Sequence, residues 1–271
     1  MKFLLFFLPL LSLAAAREPL PPTSDFIRVE RTKEATRLET ANTTFVRGNE
    51  SVTLIAAVHI GDAAYYEALN REFQNYDRLL YEMIGGEDKF ALAKRIKNKE
   101  NSGFLNLAYG SSAKFLELAQ QTEVIDYTPK NFVHADVTFQ EFQELQEKRN
   151  ESLLGFVFKN SFGARPKTEP NMLKFMAGLI TGNANRIKRE LVISLGEADD
   201  LMNQLGGQSV IIDDRNAKCL AVLEREFKAG HTKCGIFYGG AHFPDMEAAL
   251  YEMGFKKSQQ DWVTAWNIPK N

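Results

Sequence analysis

The sequence predicts an α/β protein: a central, mostly parallel sheet with an N-terminal β-hairpin, flanking helices and a helical insertion forming a cap. Three observations lead there. Ser51–Val58 (SVTLIAAV) is a nearly continuous apolar run, the mark of a strand covered on both faces. An amphipathic stretch, Asp62–Gln74, follows it, and Tyr76–Ile84 (YDRLLYEMI) reads as the next strand. Strand, helix, strand in that order implies parallel pairing. The same alternation returns near residue 209.

Each element has its own signal. Met1–Ala16 joins Lys2, a mostly apolar run from Phe3 to Leu13, and Ala14-Ala15-Ala16. That is the layout of an export signal with a small-residue cleavage site. The run is shorter than the roughly 20 apolar residues of a membrane helix. An exported protein, periplasmic or secreted, is therefore expected, with no stable membrane anchor after cleavage. Arg17–Ser24 is a Pro-rich lead-in, and residues 25–271 are expected to form a single domain. Asp25–Thr32 alternates apolar and polar residues in part, as a half-buried strand does. Arg37–Val46 reads as its partner, turning at Arg47-Gly48-Asn49-Glu50. In Asp62–Gln74 the residues Ala63, Tyr66, Leu69 and Phe73 recur at three- and four-residue steps.

From about residue 90 to 205 helical patterns dominate: Phe104–Thr122, Phe139–Arg149, Met172–Ile180 and Arg186–Leu205. These form the expected insertion, and Thr138 with Glu141 reads as a capping box for Phe139–Arg149. Ser209–Ile212 is then a short strand, and a helix opens at Asp213-Asp214-Arg215-Asn216 and runs to Phe227. A strand Lys233–Tyr238, a helix Asp245–Met253 and a β-rich segment Trp262–Ile268, expected at a sheet edge, close the chain. Cys219 on a helix and Cys234 on the next strand read as two buried small apolar residues. A helix packed on a sheet keeps their Cα atoms near or beyond the disulfide limit of about 7 Å.

Composition narrows the function. With 33 Lys and Arg against 35 Asp and Glu, the formal net charge is −2. No basic surplus exists to hold nucleic acid, so the expected partner is a peptide or small-molecule substrate.

The chemistry lies in a repeat. Ala56-Ala57-Val58-His59-Ile60-Gly61-Asp62 and Gly239-Gly240-Ala241-His242-Phe243-Pro244-Asp245 each follow a strand and precede a helix. Each carries His, an apolar residue, a turn-former and an Asp able to cap the helix. Both histidines thereby fall at carboxyl ends of parallel strands, where open α/β sheets bind ligands. Two of only four histidines share this setting. Glu82 is the carboxylate of the otherwise apolar strand Leu79–Ile84, level with His59, and burial demands a partner for it. Two histidines and a carboxylate match a metal set with positions left for water. The same groups also suit metal-free acid–base work. Arg215, entering from a third strand end, suits either an oxyanion or a salt bridge to Glu82 or Asp136. His134 and Asp136, just outside the helix that Thr138 caps, are further candidates for substrate binding.

These residues resemble the TraB/GumN/Tiki family, over about Val52 to Ile268. The resemblance is carried by Ala56–His59, Gly239–His242, Glu82 and Arg215, and by Ile236–Asp245 with Trp262–Trp266 downstream. Ala56 stands where the first family motif has Gly. The resemblance implies a fold shared with erythromycin-esterase-like and ChaN-like proteins, in a family that includes Tiki metalloproteases and proteins that inactivate peptide pheromones. The leading expectation is an exported metal-dependent hydrolase acting on peptide bonds. His59 and His242 would hold a divalent ion (Mn, Co or Zn), Glu82 would be third ligand or base, and Arg215 would stabilise the oxyanion. Two rivals stand beside it. One is a sequestering protein for a peptide or haem-like ligand, with Tyr238, Gly239 and His242 as contacts. The other is a metal-free esterase with His59 as base.

Overall fold

The computed structural model describes residues 21–88, 116–149, 181–189, 191–192 and 212–270. The export signal, Met172–Ile180, and most of Phe104–Thr122, Arg186–Leu205 and Ser209–Ile212 lie outside the described residues. The described elements, in chain order, are β1 (Ile27–Arg31), β2 (Ala35–Arg47), β3 (Glu50–Ala57), β4 (Ile60–Gly61), α1 (Ala63–Glu72), β5 (Arg78–Tyr81), β6 (Ala119–Gln120), α2 (Gln121–Val124), β7 (Phe132–His134), α3 (Phe139–Arg149), α4 (Asp213–Lys228), β8 (Lys233–Gly239), α5 (Phe243–Glu252) and β9 (Lys256–Pro269).

The expected α/β class and mostly parallel central sheet are what the structure shows. Seven strands form the main sheet. β3, β8, β5 and β7 lie side by side in parallel. β2 runs opposite to its neighbours β1, β3 and β9. The hairpin between β2 and β3 turns on Gly48 at φ +59, a conformation that suits glycine at the first position of a two-residue loop. β3 leads through α1 to β5, but β8 fills the place between them. That skipped position brings the carboxyl ends of three strands together.

Alternation along the buried strands divides the core into two layers. Ile55, Ala57, Leu79, Tyr81 and Phe237 pack with α1, with Leu116, Leu118, Ile125 and Tyr127, and with Trp266 and Ile268 of β9. Val52, Leu54, Ala56, Leu80, Ile236 and Tyr238 pack with α4 and α5 and with Phe26, Ala41 and Phe45. Each strand is therefore covered on both faces, as the continuous apolar run predicts. Ala56 falls within this second layer, fully buried.

Several local expectations are corrected. Residues 119–120, at the end of the expected helix Phe104–Thr122, form β6, which pairs with β4 beside His59. Residues 132–134 form β7, a strand too short to show a period of its own. The two Asp residues of the repeat do not cap. Asp62 occupies the N-cap of α1, but its Oδ2 accepts the Asn267 N–H at 2.8 Å. Asp245 lies inside the first turn of α5, whose N-cap is His242. The capping box on α3 forms in both directions. The Thr138 N–H donates to Glu141 Oε2 at 2.8 Å, and the Glu141 N–H donates to Thr138 Oγ1 at 3.1 Å.

Candidate functional site at the carboxyl ends of the strands

Register decides which residues meet. Tyr81 of β5 pairs with Phe237 of β8 and with His134 of β7. The residues just past these pairs, Glu82 and Asp136, therefore emerge at one edge of the sheet with Gly239. The ladder extends one step further, with the Glu82 N–H donating to the Phe237 carbonyl at 3.1 Å. Arg215 reaches the same edge from the first turn of α4.

Arg215 binds both carboxylates. Its Nε donates to Asp136 Oδ1 at 2.8 Å, and its Nη2 donates to Asp136 Oδ2 at 2.7 Å and to Glu82 Oε1 at 2.6 Å. The side chains are 7, 0 and 15% exposed for Arg215, Asp136 and Glu82. Both partners left open by the sequence are thus occupied. The second Glu82 oxygen, Oε2, accepts the Gly239 N–H at 2.7 Å. Burial alone would push the Glu82 carboxyl up. The guanidinium of Arg215 and the imidazoles of His242 and His59 outweigh it and hold the carboxyl well below the usual range. Burial likewise works against the Arg215 charge, and its two carboxylates more than reverse that effect.

His242 is buried and oriented by a residue that has no sequence signal of its own. Asn216 Nδ2 donates to the His242 carbonyl at 3.1 Å, which turns Asn216 Oδ1 toward His242 Nδ1 at 2.7 Å. Nδ1 therefore carries a proton, and Nε2 faces Glu82 Oε1 at 3.6 Å. Helical spacing hints at Asn216 only through its place next to Arg215. Tyr238, an expected ligand contact, instead sits beneath the site. It is buried, stands edge-on to the His242 ring at 5.1 Å, and donates its hydroxyl to the Ala135 carbonyl at 2.7 Å. His134 is half-buried, with Nε2 2.7 Å from the Met83 carbonyl, so it holds the chain that follows Glu82. Tyr81 holds the same loop through its hydroxyl and the Gly86 carbonyl at 2.7 Å.

His59 stands at the adjacent strand end, exposed, between β3 and β4. Among the described residues no three His, Cys, Asp or Glu side chains converge as a metal-holding group. The site thus consists of a buried core (Glu82, Asp136, Arg215, Asn216, His242) and an exposed histidine at its rim. Comparison with family models, with curated proteins and with solved structures finds no match.

Proposed function

We propose that this chain is an exported, metal-dependent hydrolase of the TraB/GumN/Tiki type, acting on peptide bonds. The observation that carries the reading is a charge imbalance with an imidazole nitrogen beside it. Among the described residues two carboxylates meet one guanidinium in a largely buried cluster, so one negative charge is left over. With Nδ1 turned to Asn216 Oδ1, His242 Nε2 stands beside that charge, 3.6 Å from Glu82 Oε1.

These donors fit a divalent cation. Two ligands each about 2.1 Å from one ion at a tetrahedral angle stand about 3.4 Å apart. A direct charged hydrogen bond would bring them to about 2.7–2.9 Å. Imidazole with carboxylate suits Mn, Co or Zn. His242 and Glu82 would hold the ion, with His59 as the third donor from the rim. A bound ion supplies Lewis-acid polarisation of the scissile carbonyl.

The chain's own groups do the rest. Glu82, held ionised, is a weak base and serves as an anionic donor rather than as a proton acceptor. Arg215, tied to both carboxylates, orients Glu82 and keeps its charge, in place of the oxyanion contact expected from the sequence. Gly239 fixes the other carboxylate oxygen through its backbone.

The exposure of His59 favours a second reading, a metal-free esterase with His59 as base. Elemental analysis of the native protein, with the His59→Ala and His242→Ala variants, separates the two. One ion per chain, lost in His242→Ala, is the expected result. A metal-free native protein whose ester hydrolysis disappears in His59→Ala would establish the second reading instead.

A further inference from the structure

Two aromatic residues take no part in the site described above, yet both touch the chain that carries His59. The Tyr66 hydroxyl, from α1, donates to the Val58 carbonyl at 2.8 Å. The Trp266 indole N–H, from β9, donates to the Ile60 carbonyl at 2.7 Å. Val58 and Ile60 are the residues immediately before and after His59. The His59 carbonyl between them accepts the Gln121 N–H at 2.9 Å. Three successive carbonyls are therefore held by three separate elements. Two residues further on the chain is held as well, because the Asp62 N–H donates to the Ala265 carbonyl at 2.8 Å.

Tyr66 and Trp266 are themselves fixed. Tyr66 is fully buried and Trp266 is 1% exposed, both in the core layer on the α1 face. Each reaches a strand-end carbonyl with one polar atom while its ring is packed in apolar surroundings. A histidine on an exposed bend would otherwise sit on backbone free to rotate about φ and ψ. Here its ring is exposed while its Cα is set by buried side chains. That combination is what a rim ligand or base requires, because small displacements of a reacting group are costly.

We propose that Tyr66 and Trp266 are positioning residues for His59, acting through the carbonyls of Val58 and Ile60. The inference rests on His59 being part of the site, but not on which reaction the site performs. It gives a role to Trp266, whose distance along the sequence from His59 hides the contact.

The test uses the full chain and reads His59 directly. The variants are Tyr66→Phe and Trp266→Phe, each of which removes one donor and keeps an aromatic ring. Tyr251→Phe and Trp262→Phe are controls. The Tyr251 hydroxyl bonds Glu247, and the Trp262 ring lies 4.1 Å from the Arg28 guanidinium. The Hε1–Cε1 signal of His59, assigned with His59→Gln, should shift and broaden in both test variants and stay unchanged in both controls. Cobalt affinity should fall about 10- to 100-fold in the test variants, the usual loss when a residue that orients a ligand is removed. An unshifted His59 signal in Tyr66→Phe and Trp266→Phe, or an equal shift in the controls, would overturn the proposal. Absence of cobalt binding in the wild type refutes the metal reading alone, because the His59 signal still decides the positioning role.

Discussion

Replacing Arg215 by Met tests the buried charge cluster directly. The variant loses the charge-assisted hydrogen bonds to Asp136 and Glu82, at 2.8, 2.7 and 2.6 Å. It leaves the Asp136 carboxylate at 0% and that of Glu82 at 15% side-chain exposure without their cation. Breaking a buried ion pair on one side costs about 3–5 kcal/mol. Against a total stability of about 5–15 kcal/mol, this is a large fraction. Urea unfolding at pH 7 should show the loss as a lower midpoint. The pH dependence is the sharper readout. In the wild type the Glu82 carboxyl is held below its unfolded value, so its stabilisation is present above the unfolded value and is lost as pH falls through the folded one. Without Arg215 the burial that opposes ionisation dominates, and the carboxyl moves above its unfolded value. Acidification from pH 7 toward 5 should then stabilise the variant while the wild type holds steady, so the two curves converge. A loss below about 1 kcal/mol at pH 7, or curves that stay parallel on acidification, would refute the buried-triad argument.

Other consequences can be checked separately. Asn216→Ala frees the His242 ring from its set tautomer, and cobalt titration should show affinity about 10- to 100-fold weaker with the fold retained. Gly235→Ala places a Cβ 2.8 Å from Leu79 Cδ1 and 3.1 Å from the Tyr76 ring, in the centre of β8. Thermal unfolding should report a loss of about 1–3 kcal/mol from this overpacking. Thr138→Ala removes one half of the capping box, and chemical denaturation should show a loss of about 1 kcal/mol. Cys219 and Cys234 are both free and fully buried, and burial pushes their thiols up, that of Cys234 to about 12. At pH 8 a thiol reagent should leave the native protein unlabelled and titrate both cysteines after unfolding. Fast labelling of the native protein would contradict that packing.

The large-scale features of this fold are legible because they repeat or run on. An apolar run such as Ser51–Val58 needs cover on two faces wherever it lies. A histidine after such a strand lands at the sheet edge whatever the rest of the chain does. Glu82 is legible because a lone carboxylate in a buried strand must have a partner, and Arg215 because it opens a helix after a third strand. The features that escaped are set by distant contacts. β7 has three residues, and only its pairing with β5 makes it a strand. Asp62 has the residue type and position of a cap, but Asn267, distant in sequence, competes for its oxygen. Asn216 reads as one more polar residue of a first turn until His242 is brought against it. Tyr238 was legible as a neighbour of the site, but not the face of the sheet on which its ring lies.

The placement of β9 bears on how the molecule comes to exist in time. β2 is synthesised well before β9. They pair from Ala35 with Pro269 through Val46 with Lys256. The pairing of β3 with β8 spans nearly as much chain. Contacts this remote in sequence make folding slow, because a long loop must close before any bond is formed. The Trp266 anchor beneath His59 arrives on β9. The chain through Trp266 must therefore be made before the His59 end of the site acquires its geometry, and a chain truncated before Trp266 would lack that anchor.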